Sequence, residues 1–392
     1  ATLTVHAGGG AFNTLVVVNT NSAESVELGE YYASQHGIPS HQICSVGIAT
    51  NTATLTPTKL ELLAGWLPSQ DWFHGSADDL TRVASYRFVD PDGEVGIETL
   101  VLRDDATTPP TVYQVPLTYR GAPLVGAERA LVGTMEHSVL GTRYVYDGPH
   151  DPVYVAALWR FIQGRAQAQA AGVSNTVEPA FSGQTVPGGY AAPSGEITAS
   201  RVLGGEQSNT SLVLDERYIL KVFRQVQPGP NPDVEVTERL GKVGYGAVPV
   251  PLAVWRRNQT DLAVVRRYER SRGDGWELAS SSLRELFNLR RPPRDCKLDF
   301  ADDARLLGEQ VAHLHVALAE AFGAEPADGD AWASDMSAQL SRVATDRLAT
   351  DRIEAIYGRL RGAEDLGAAI RIHGDLHLAQ VLRLQRAWMV LD

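Results

Sequence analysis

Residues 372–382 read Ile372-His-Gly-Asp-Leu-His-Leu-Ala-Gln-Val-Leu382, and this stretch decides how the chain is interpreted. The pattern H-G-D-x-H-x-x-Q is followed by the apolar run Trp388-Met-Val-Leu391 and then by Asp392. Phosphoryl transfer needs one carboxylate to orient the attacking hydroxyl, and further side-chain oxygens to hold Mg²⁺ against the phosphates. We therefore predict that Asp375 is the catalytic base and that Gln380 and Asp392 bind the metal. The alternative is a plain polar loop, but that does not explain why so many matching polar residues precede an apolar strand.

A second group of candidate residues lies upstream, between and after two predicted strands. The turn Gly204-Gly-Glu-Gln-Ser-Asn-Thr210 can lay backbone N–H groups against phosphates, although a plain hairpin turn explains it equally well. Lys221 stands in the apolar strand 218–223, where a charge needs a partner. We predict that Lys221 pairs with Glu235 on the following helix and with nucleotide phosphates. A solvent-facing lysine is the alternative, and Asp233 is interpreted as an ordinary helix-start residue.

The run Val264-Val-Arg-Arg-Tyr268 is the predicted crossing between the strand-rich and the helix-rich halves. A backbone crossing of this kind can hydrogen-bond the edge of an adenine, although no side chain in the run is diagnostic. The complete set of predicted ATP contacts is Gln207, Ser208, Asn209, Thr210, Lys221, Glu235, Arg266 and Tyr268.

The order of predicted elements gives the fold class. Strands come first and helices follow, which is an α+β pattern with segregated halves. Residues 53–172 read as an antiparallel meander that ends in a helix, residues 173–268 as strands with one helix near 233–240, and residues 269–392 as helices.

Residues 1–52 are a separate short α/β segment. The patterns predict a buried strand at 15–18, a helix at 25–36 and a second strand at 41–48. Such a segment is too short to close a sheet on its own. A fusion or assembly join near Asn51 and a genuine appended segment are both compatible with it.

Composition limits the class of protein. The net charge of −12 argues against a surface that binds nucleic acid. The two cysteines, Cys44 and Cys296, are too far apart in sequence to suggest a disulfide framework or a zinc site. There is no run of about 18 apolar residues and no visible signal peptide, so we expect a cytoplasmic protein without a membrane partner. The chain opens on Ala1 and stops at Asp392, which look like the edges of a fragment.

From about Leu55 to Asp392 the chain resembles the bacterial maltokinase family. Four segments carry the resemblance, namely Trp66-Leu-Pro-Ser-Gln-Asp-Trp-Phe73, 207–223, Pro230-Asn-Pro-Asp-Val-Glu235 and 373–382. The resemblance implies a bilobal protein-kinase-like fold, similar to aminoglycoside phosphotransferases, with an N-terminal antiparallel β cap. It also implies ATP and Mg²⁺ as cofactors, and the conversion of maltose to maltose 1-phosphate.

Relatives with the same cap phosphorylate glucosamine, and residues 113–120 and 144–148 look at least as much like theirs. Maltose is therefore our first expectation for the acceptor and glucosamine the second. An aminoglycoside-type kinase for another small molecule and a non-catalytic pseudokinase are the remaining alternatives. The retained acidic and basic candidates argue against the pseudokinase.

The resemblance has three further implications. His373 and His377 are expected to contact the sugar. Ala379 stands where the family has glycine, a change that we expect to be mild. The family also continues beyond the position of Asp392, so we expect the helical lobe to be truncated and part of its apolar surface to be uncovered.

Overall fold

The computed structural model describes most of the chain and divides it into two compact units. The described residues are 3–6, 14–19, 23–46, 54–165, 169–170, 183–185, 193–204, 208–257, 260–290, 292, 295, 299–343 and 349–391. The smaller unit comprises residues 1–56 with 136–141, and the larger comprises residues 57–135 with 142–392. Among the described residues, none of the helices is long and apolar enough to span a bilayer.

The smaller unit contains a three-stranded sheet and one helix. Strand β1 (Leu3–His6) pairs antiparallel with β2 (Thr14–Asn19), and β3 (Ile43–Val46) pairs parallel with β2 after helix α1 (Ala23–Gln35). A short strand, β4 (Leu55–Thr56), pairs with residues 136–137. Val16, Ala33 and Ile38 form the buried core. The predicted strand, helix and strand are confirmed, while positions 47–48 of the second predicted strand lie outside the described residues.

The larger unit begins with an antiparallel sheet, which we call the first sheet. This part of the chain contains α2 (Lys59–Trp66), β5 (Leu80–Phe88), β6 (Gly96–Asp104), β7 (Thr111–Arg120), β8 (Leu131–His137), β9 (Gly141–Asp147), α3 (Pro152–Ile162) and β10 (Gln169–Ala170). The strands pair antiparallel in the order β10-β5-β6-β7-β9. The predicted meander and the helix after it are confirmed.

A second antiparallel sheet follows. Its region contains β11 (Gly183–Thr185), β12 (Ser200–Val202), β13 (Asn209–Leu214), β14 (Tyr218–Phe223), β15 (Gln225–Val226), α4 (Pro232–Lys242), β16 (Ala253–Arg257) and β17 (Thr260–Arg267). The strand order is β11-β16-β17-β14-β13-β12, and β15 pairs with β7 of the first sheet. The predicted phosphate loop lies in the β12–β13 hairpin, where Leu203 donates to the carbonyl of Ser211 at 2.8 Å. Residues 205–207 of that loop lie outside the described residues.

The two sheets share one apolar core, which is filled by helix α3. Trp159 and Phe161 of this helix are at most 1% exposed, and the ring of Phe161 lies 5.3 Å from that of Trp255 in β16. Burial of such large aromatic side chains is a major source of stability. The side-chain amide of Gln114 in β7 adds hydrogen bonds to the carbonyls of Phe223 at 2.9 Å and Leu262 at 3.0 Å. Strand β7 of the first sheet therefore holds β14, the strand that carries Lys221, through hydrogen bonds.

The remainder of the chain is mainly helical. It contains α5 (Gly275–Leu289), α6 (Ala301–Phe322), β18 (Ala324–Pro326), α7 (Gly329–Val343), α8 (Thr350–Tyr357), β19 (Ala368–Ile370), β20 (Val381–Arg383) and β21 (Trp388–Val390). Strands β20 and β21 form an antiparallel hairpin that packs on α6 through Trp388, whose indole N–H donates to the carbonyl of Asp303 at 3.0 Å. The mixed α and β composition, with strands first and helices after, is confirmed.

Candidate active site

Two glycines, one in the loop 373–380 and one in the neighbouring helix α5, determine the conformation and the packing of this loop. Gly374 has φ +91°, a conformation that L side chains rarely adopt, so glycine is required there. At the neighbouring helix, a Cβ placed on Gly275 would lie 2.7 Å from the carbonyl oxygen of Leu378, so α5 can approach the loop only with glycine. His377 then caps the short turn 378–380, because its Nδ1 accepts from the backbone N–H of Ala379 at 3.2 Å.

The β20–β21 hairpin brings the two ends of the motif together. The ring Nε2 of His373 lies 2.8 Å from the carbonyl oxygen of Leu391, and the N–H of Leu391 donates to the carbonyl of Gln380 at 2.8 Å. Gln380, which is half-buried, is thus held beside the residue that directly precedes Asp392. Asp392 itself lies outside the described residues, so its predicted role as a metal ligand stays a prediction.

Asp375 is presented to solvent at the tip of this loop. Its side chain is 83% exposed, and its Oδ2 lies 3.9 Å from Nε2 of His377. An exposed carboxylate beside an imidazole is accessible to an acceptor hydroxyl, as general base chemistry requires. The structure therefore brings together Asp375, His373, His377 and Gln380, the four predicted residues of this motif that it describes. Within the described ranges, no group of three or more His, Cys, Asp or Glu side chains is placed to hold a metal ion.

Lys221 is buried in β14, but its carboxylate partner is not the predicted one. Its Nζ lies 3.3 Å from Oδ2 of Asp233, and Arg266 contacts the same carboxylate at 3.0 Å. Glu235 instead contacts Arg371 at 3.1 Å and Arg239 at 2.9 Å. The predicted Lys221–Glu235 pair is therefore wrong, and so is the interpretation of Asp233 as an ordinary helix-start residue.

The reason for this exchange is the phase of helix α4. The helix begins at Pro232, with Asn231 as its N-cap, so Asp233 lies in the first turn and faces the sheet. Two residues further on, the helix has rotated by about 200°, which turns Glu235 away from Lys221. The sequence alone therefore does not show which way the side chain of an acidic residue near a helix start points, because that depends on the residue at which the helix begins.

Burial and charge act in opposite directions on Asp233. Burial alone raises the pKa of a carboxyl group, but the nearby charges of Arg266 and Lys221 outweigh it and lower the pKa of Asp233 from 3.8 to about 2. The carboxylate is therefore ionised at neutral pH, and it holds the side chains of Lys221 and Arg266 in place.

The lowered pKa predicts a pH dependence of stability. Because the folded state binds the proton more weakly than the unfolded state, the contribution is complete above about pH 5 and is lost progressively as the pH falls through about 4 towards about 2. Its size is about 2 kcal/mol, from the shift between 3.8 and about 2. Urea unfolding of wild type and Asp233→Asn at several pH values should show a difference that is constant above pH 5 and shrinks below pH 4. A difference that grows on acidification would contradict the assignment.

The other predicted nucleotide contacts fall into two groups. Ser208 and Asn209 line a cavity together with Lys221. Thr210, by contrast, accepts a hydrogen bond from Nε of Arg224 at 2.8 Å and is buried. Its hydroxyl is engaged in the protein interior, which a sequence of small polar residues does not reveal.

The predicted crossing at 264–268 begins later than expected. Strand β17 continues to Arg267, and Arg266 lies within it, opposite Ile219 of β14. The N–H of Tyr268 donates to the carbonyl of Arg217 at 2.9 Å, so this donor is already used. The chain leaves the sheet only after Arg267.

The cavity is lined by candidates on the strands and by His373 of the loop 373–380. It encloses about 410 Å³ and lies between β14, helix α4, helix α6 and the 371–373 segment. Its polar lining includes Asn209, Lys221, Asp233, Arg371 and His373. Sequence reasoning missed Asp233 and Arg371 as members of this wall. The signal for Arg371 was its position two residues before His373, because a residue so close in the chain shares the loop's location.

Comparison with known proteins gives this geometry a context. A family model described as the maltokinase N-terminal cap domain matches residues 66–151. A protein named glucosamine kinase from Mycolicibacterium smegmatis (strain ATCC 700084 / mc(2)155) is 27% identical over 202 residues, which cover 48% of this chain and 49% of the relative. Another protein of that name, from Streptacidiphilus jiangxiensis, is 27% identical over 216 residues, which cover 50% of this chain and 48% of the relative. The chain thus spans about half the length of these curated relatives.

Solved structures of glucosamine kinases resemble this chain in fold. A glucosamine kinase in complex with glucosamine, ADP and inorganic phosphate superimposes with a TM-score of 0.52 and 20% identity, over 86% of this chain and 72% of that chain. Another structure, described as glucosamine kinase in crystal form B, gives a TM-score of 0.52 and 22% identity over the same shares. At this identity the likeness shows a shared fold. The predicted resemblance to the maltokinase and glucosamine kinase group is confirmed.

Proposed function

We propose that this protein is an ATP-dependent phosphotransferase that acts on a sugar hydroxyl. The observation that carries the proposal is the cavity whose wall joins Lys221, fixed by Asp233, to the His373 loop that presents Asp375. Phosphoryl transfer requires a cation for the phosphates and a carboxylate that orients the acceptor hydroxyl, and we assign these roles to the buried Lys221 and the exposed Asp375. The likeness to glucosamine kinases and to the maltokinase cap supports this reaction class.

The proposal assigns a cap and a bilobal arrangement to residues 53–392. Residues 53–172 form the cap, residues 173–268 the strand-rich lobe and residues 269–392 the helical lobe, while residues 1–52 carry no assigned role. ATP binds between the two lobes, with its phosphates on Lys221 and on the β12–β13 hairpin. The fold of the solved glucosamine kinase structures supports this arrangement.

Asp375, Gln380, Asp392 and His373 have separate tasks in the proposed reaction. Asp375 orients the acceptor hydroxyl and takes its proton as the oxygen attacks the γ-phosphorus, and ADP leaves. Gln380 and Asp392 would hold Mg²⁺, which would neutralise charge on the phosphates; a magnesium ion is commonly held by one or two protein oxygens together with substrate phosphates. His373 fixes the strand end before Asp392 through its contact with Leu391.

Two acceptors are supported by different observations. The relatives of this chain in sequence and in structure are named glucosamine kinases, which favours glucosamine. The family model for residues 66–151 carries the maltokinase name, which favours maltose. We place glucosamine first, which reverses our expectation from the sequence, because more of the chain takes part in the comparisons that favour it.

A substrate panel tests this choice. We would measure kcat/KM for glucosamine, maltose, glucose and kanamycin with Mg·ATP and one preparation of the protein. A carboxylate that meets the glucosamine ammonium would contribute about 1.5–3 kcal/mol, or roughly 10- to 100-fold in preference. A clear preference for maltose would overturn the choice of glucosamine but keep the reaction. Turnover of kanamycin alone would overturn the sugar class.

Lys221 is predicted to act in nucleotide binding rather than in folding. Replacing it with alanine should weaken ATP binding by about 10- to 100-fold, because a charge-assisted hydrogen bond is worth about 1.5–3 kcal/mol. Stability should change little, since Asp233 keeps its contact with Arg266. Titration with a fluorescent ATP analogue and a thermal melt check both statements.

The matched control for this prediction is Lys242→Ala, which removes an exposed lysine paired with Glu238 at 2.9 Å. It should leave both nucleotide affinity and the thermal midpoint unchanged. A large loss of stability in Lys221→Ala with unaltered ATP affinity would show that the lysine is structural.

A further inference from the structure

The first turn of helix α4 carries two carboxylates that face opposite sides. Asp233 and Glu235 are two residues apart, so their side chains leave the helix about 200° apart. Asp233 contacts Lys221 in the second sheet at 3.3 Å, whereas Glu235 contacts Arg371 in the helical half at 3.1 Å. One turn of one helix therefore touches both the strand that holds the buried lysine and the segment that leads into the catalytic loop.

Arg371 is held in place from two directions. Its guanidinium carbon lies 4.7 Å from the ring centre of Phe322, within the range of a cation–π contact, while Oε2 of Glu235 accepts from its Nη1. Arg371 also forms part of the cavity wall. Arg371 precedes His373 by two residues. A guanidinium group held in place therefore restricts the position of the first residues of the loop 373–380.

From Arg371 the contacts continue to the metal-binding end of the predicted site. His373 meets the carbonyl of Leu391 at 2.8 Å, and Leu391 donates to the carbonyl of Gln380 at 2.8 Å. The path from helix α4 to the residue before Asp392 thus consists of direct contacts between neighbouring residues. Movement of Glu235 would be transmitted along it to the loop that bears Asp375.

We propose that Glu235 is a positioning residue, which sets the His373 loop relative to Lys221 through Arg371. This inference rests on the proposed function, and it replaces the sequence prediction that Glu235 contacts ATP. In the proposed reaction the strand holds the phosphates and the loop holds the acceptor hydroxyl, so a shift of about 1 Å between the loop and the strand can cost up to about 10²-fold in rate.

The pair itself should contribute little to folding. The side chains of Glu235 and Arg371 are 26% and 38% exposed, and ion pairs in contact with solvent are weak. A positioning role therefore predicts a loss of turnover with a nearly unchanged thermal midpoint, whereas a purely structural role predicts the reverse.

The test compares Glu235→Gln, Arg371→Gln and the double variant with Arg239→Gln. Arg239 is a matched control because it also contacts Glu235, at 2.9 Å, and also lies over the Phe322 ring, at 4.6 Å, but it does not lead into the loop. We expect each of the first two variants to lower kcat by about tenfold, with KM for ATP within about twofold for Glu235→Gln. The double variant should lose no more than the worse single variant. Arg239→Gln should retain wild-type kcat.

Amide hydrogen exchange over residues 371–380 gives a readout that needs no turnover. Glu235→Gln should lose protection in this segment, and Arg239→Gln should keep it. Wild-type exchange in Glu235→Gln, additive losses of kcat in the double variant, or a raised KM for ATP with unchanged kcat would each overturn the positioning role. Absence of turnover with every sugar would overturn the proposed function, while the exchange data would still decide the coupling between Glu235 and the loop.

Discussion

Replacing Asp375 with asparagine is expected to lower kcat by about 10²- to 10⁴-fold, the usual contribution of a positioned general base. The amide cannot take the proton of the attacking hydroxyl. KM for ATP should change little, because Asp375 projects from the loop with 83% of its side chain exposed, while the phosphates are assigned to Lys221. Initial rates with the best acceptor of the panel, at varied ATP, give both constants.

The control for this substitution is Asp365→Asn, which removes an exposed carboxylate upstream of the loop. It should retain wild-type kcat. If Asp375→Asn lost no more activity than this control, or if it mainly raised KM for ATP, the assignment of the base would be wrong.

Removing the carboxylate of Asp147 is expected to destabilise the fold by about 3–5 kcal/mol, the cost of leaving a buried charge without its partner. Asp147 accepts two hydrogen bonds from Nη2 of Arg224, at 2.8 and 2.6 Å, and the Arg224 side chain is fully buried. Burial raises the pKa of Asp147, but the charge of Arg224 outweighs it and holds the pKa below its usual value. Urea unfolding of Asp147→Ala measures the loss.

Two further variants make this stability prediction specific. Glu196→Ala breaks the exposed pair between Arg165 and Glu196, which should cost less than about 1 kcal/mol. The double variant Asp147→Leu with Arg224→Met removes both charges and should recover most of the stability, because a buried pair can often be replaced by apolar side chains. A loss below about 1 kcal/mol in Asp147→Ala would contradict the account.

The Asp147–Arg224 pair also bears on the site. Arg224 joins β9 of the first sheet to Thr210 of β13, and its guanidinium carbon lies 4.8 Å from the ring centre of Trp72. The next residue, Gln225, donates to the carbonyl of Trp72 at 3.0 Å and lines the cavity. The loop from the cap region is therefore coupled directly to one wall of the proposed nucleotide site.

The loop 373–380 could be predicted from the sequence because its determinants are local. A glycine with φ +91°, polar residues at short spacing and an apolar strand after them all lie within 20 residues. The antiparallel meander was predictable for the same reason, since Pro, Gly or Asp residues in the sequence indicate the turns between its strands.

Contacts between distant segments could not be predicted in this way. The Asp147–Arg224 pair joins residues 77 positions apart, and no spacing in the sequence relates them. The partner of Lys221 depended on where helix α4 begins, because one residue of phase rotates a side chain by about 100°. Glu235 was therefore assigned to the lysine from the general pattern of phosphoryl-transfer sites, while Asp233, two residues earlier, makes the contact.

Transfer of phosphate from ATP to a sugar is the central claim, and ³¹P NMR of a single reaction tests it most directly. Protein, Mg·ATP and glucosamine are incubated together, with maltose in a parallel sample and Asp375→Asn as the control protein. The account predicts a sugar monophosphate resonance that grows in equal proportion to ADP in one of the two wild-type samples, and that is almost absent with Asp375→Asn. Release of inorganic phosphate without a sugar phosphate, or no consumption of ATP with either sugar, would contradict it.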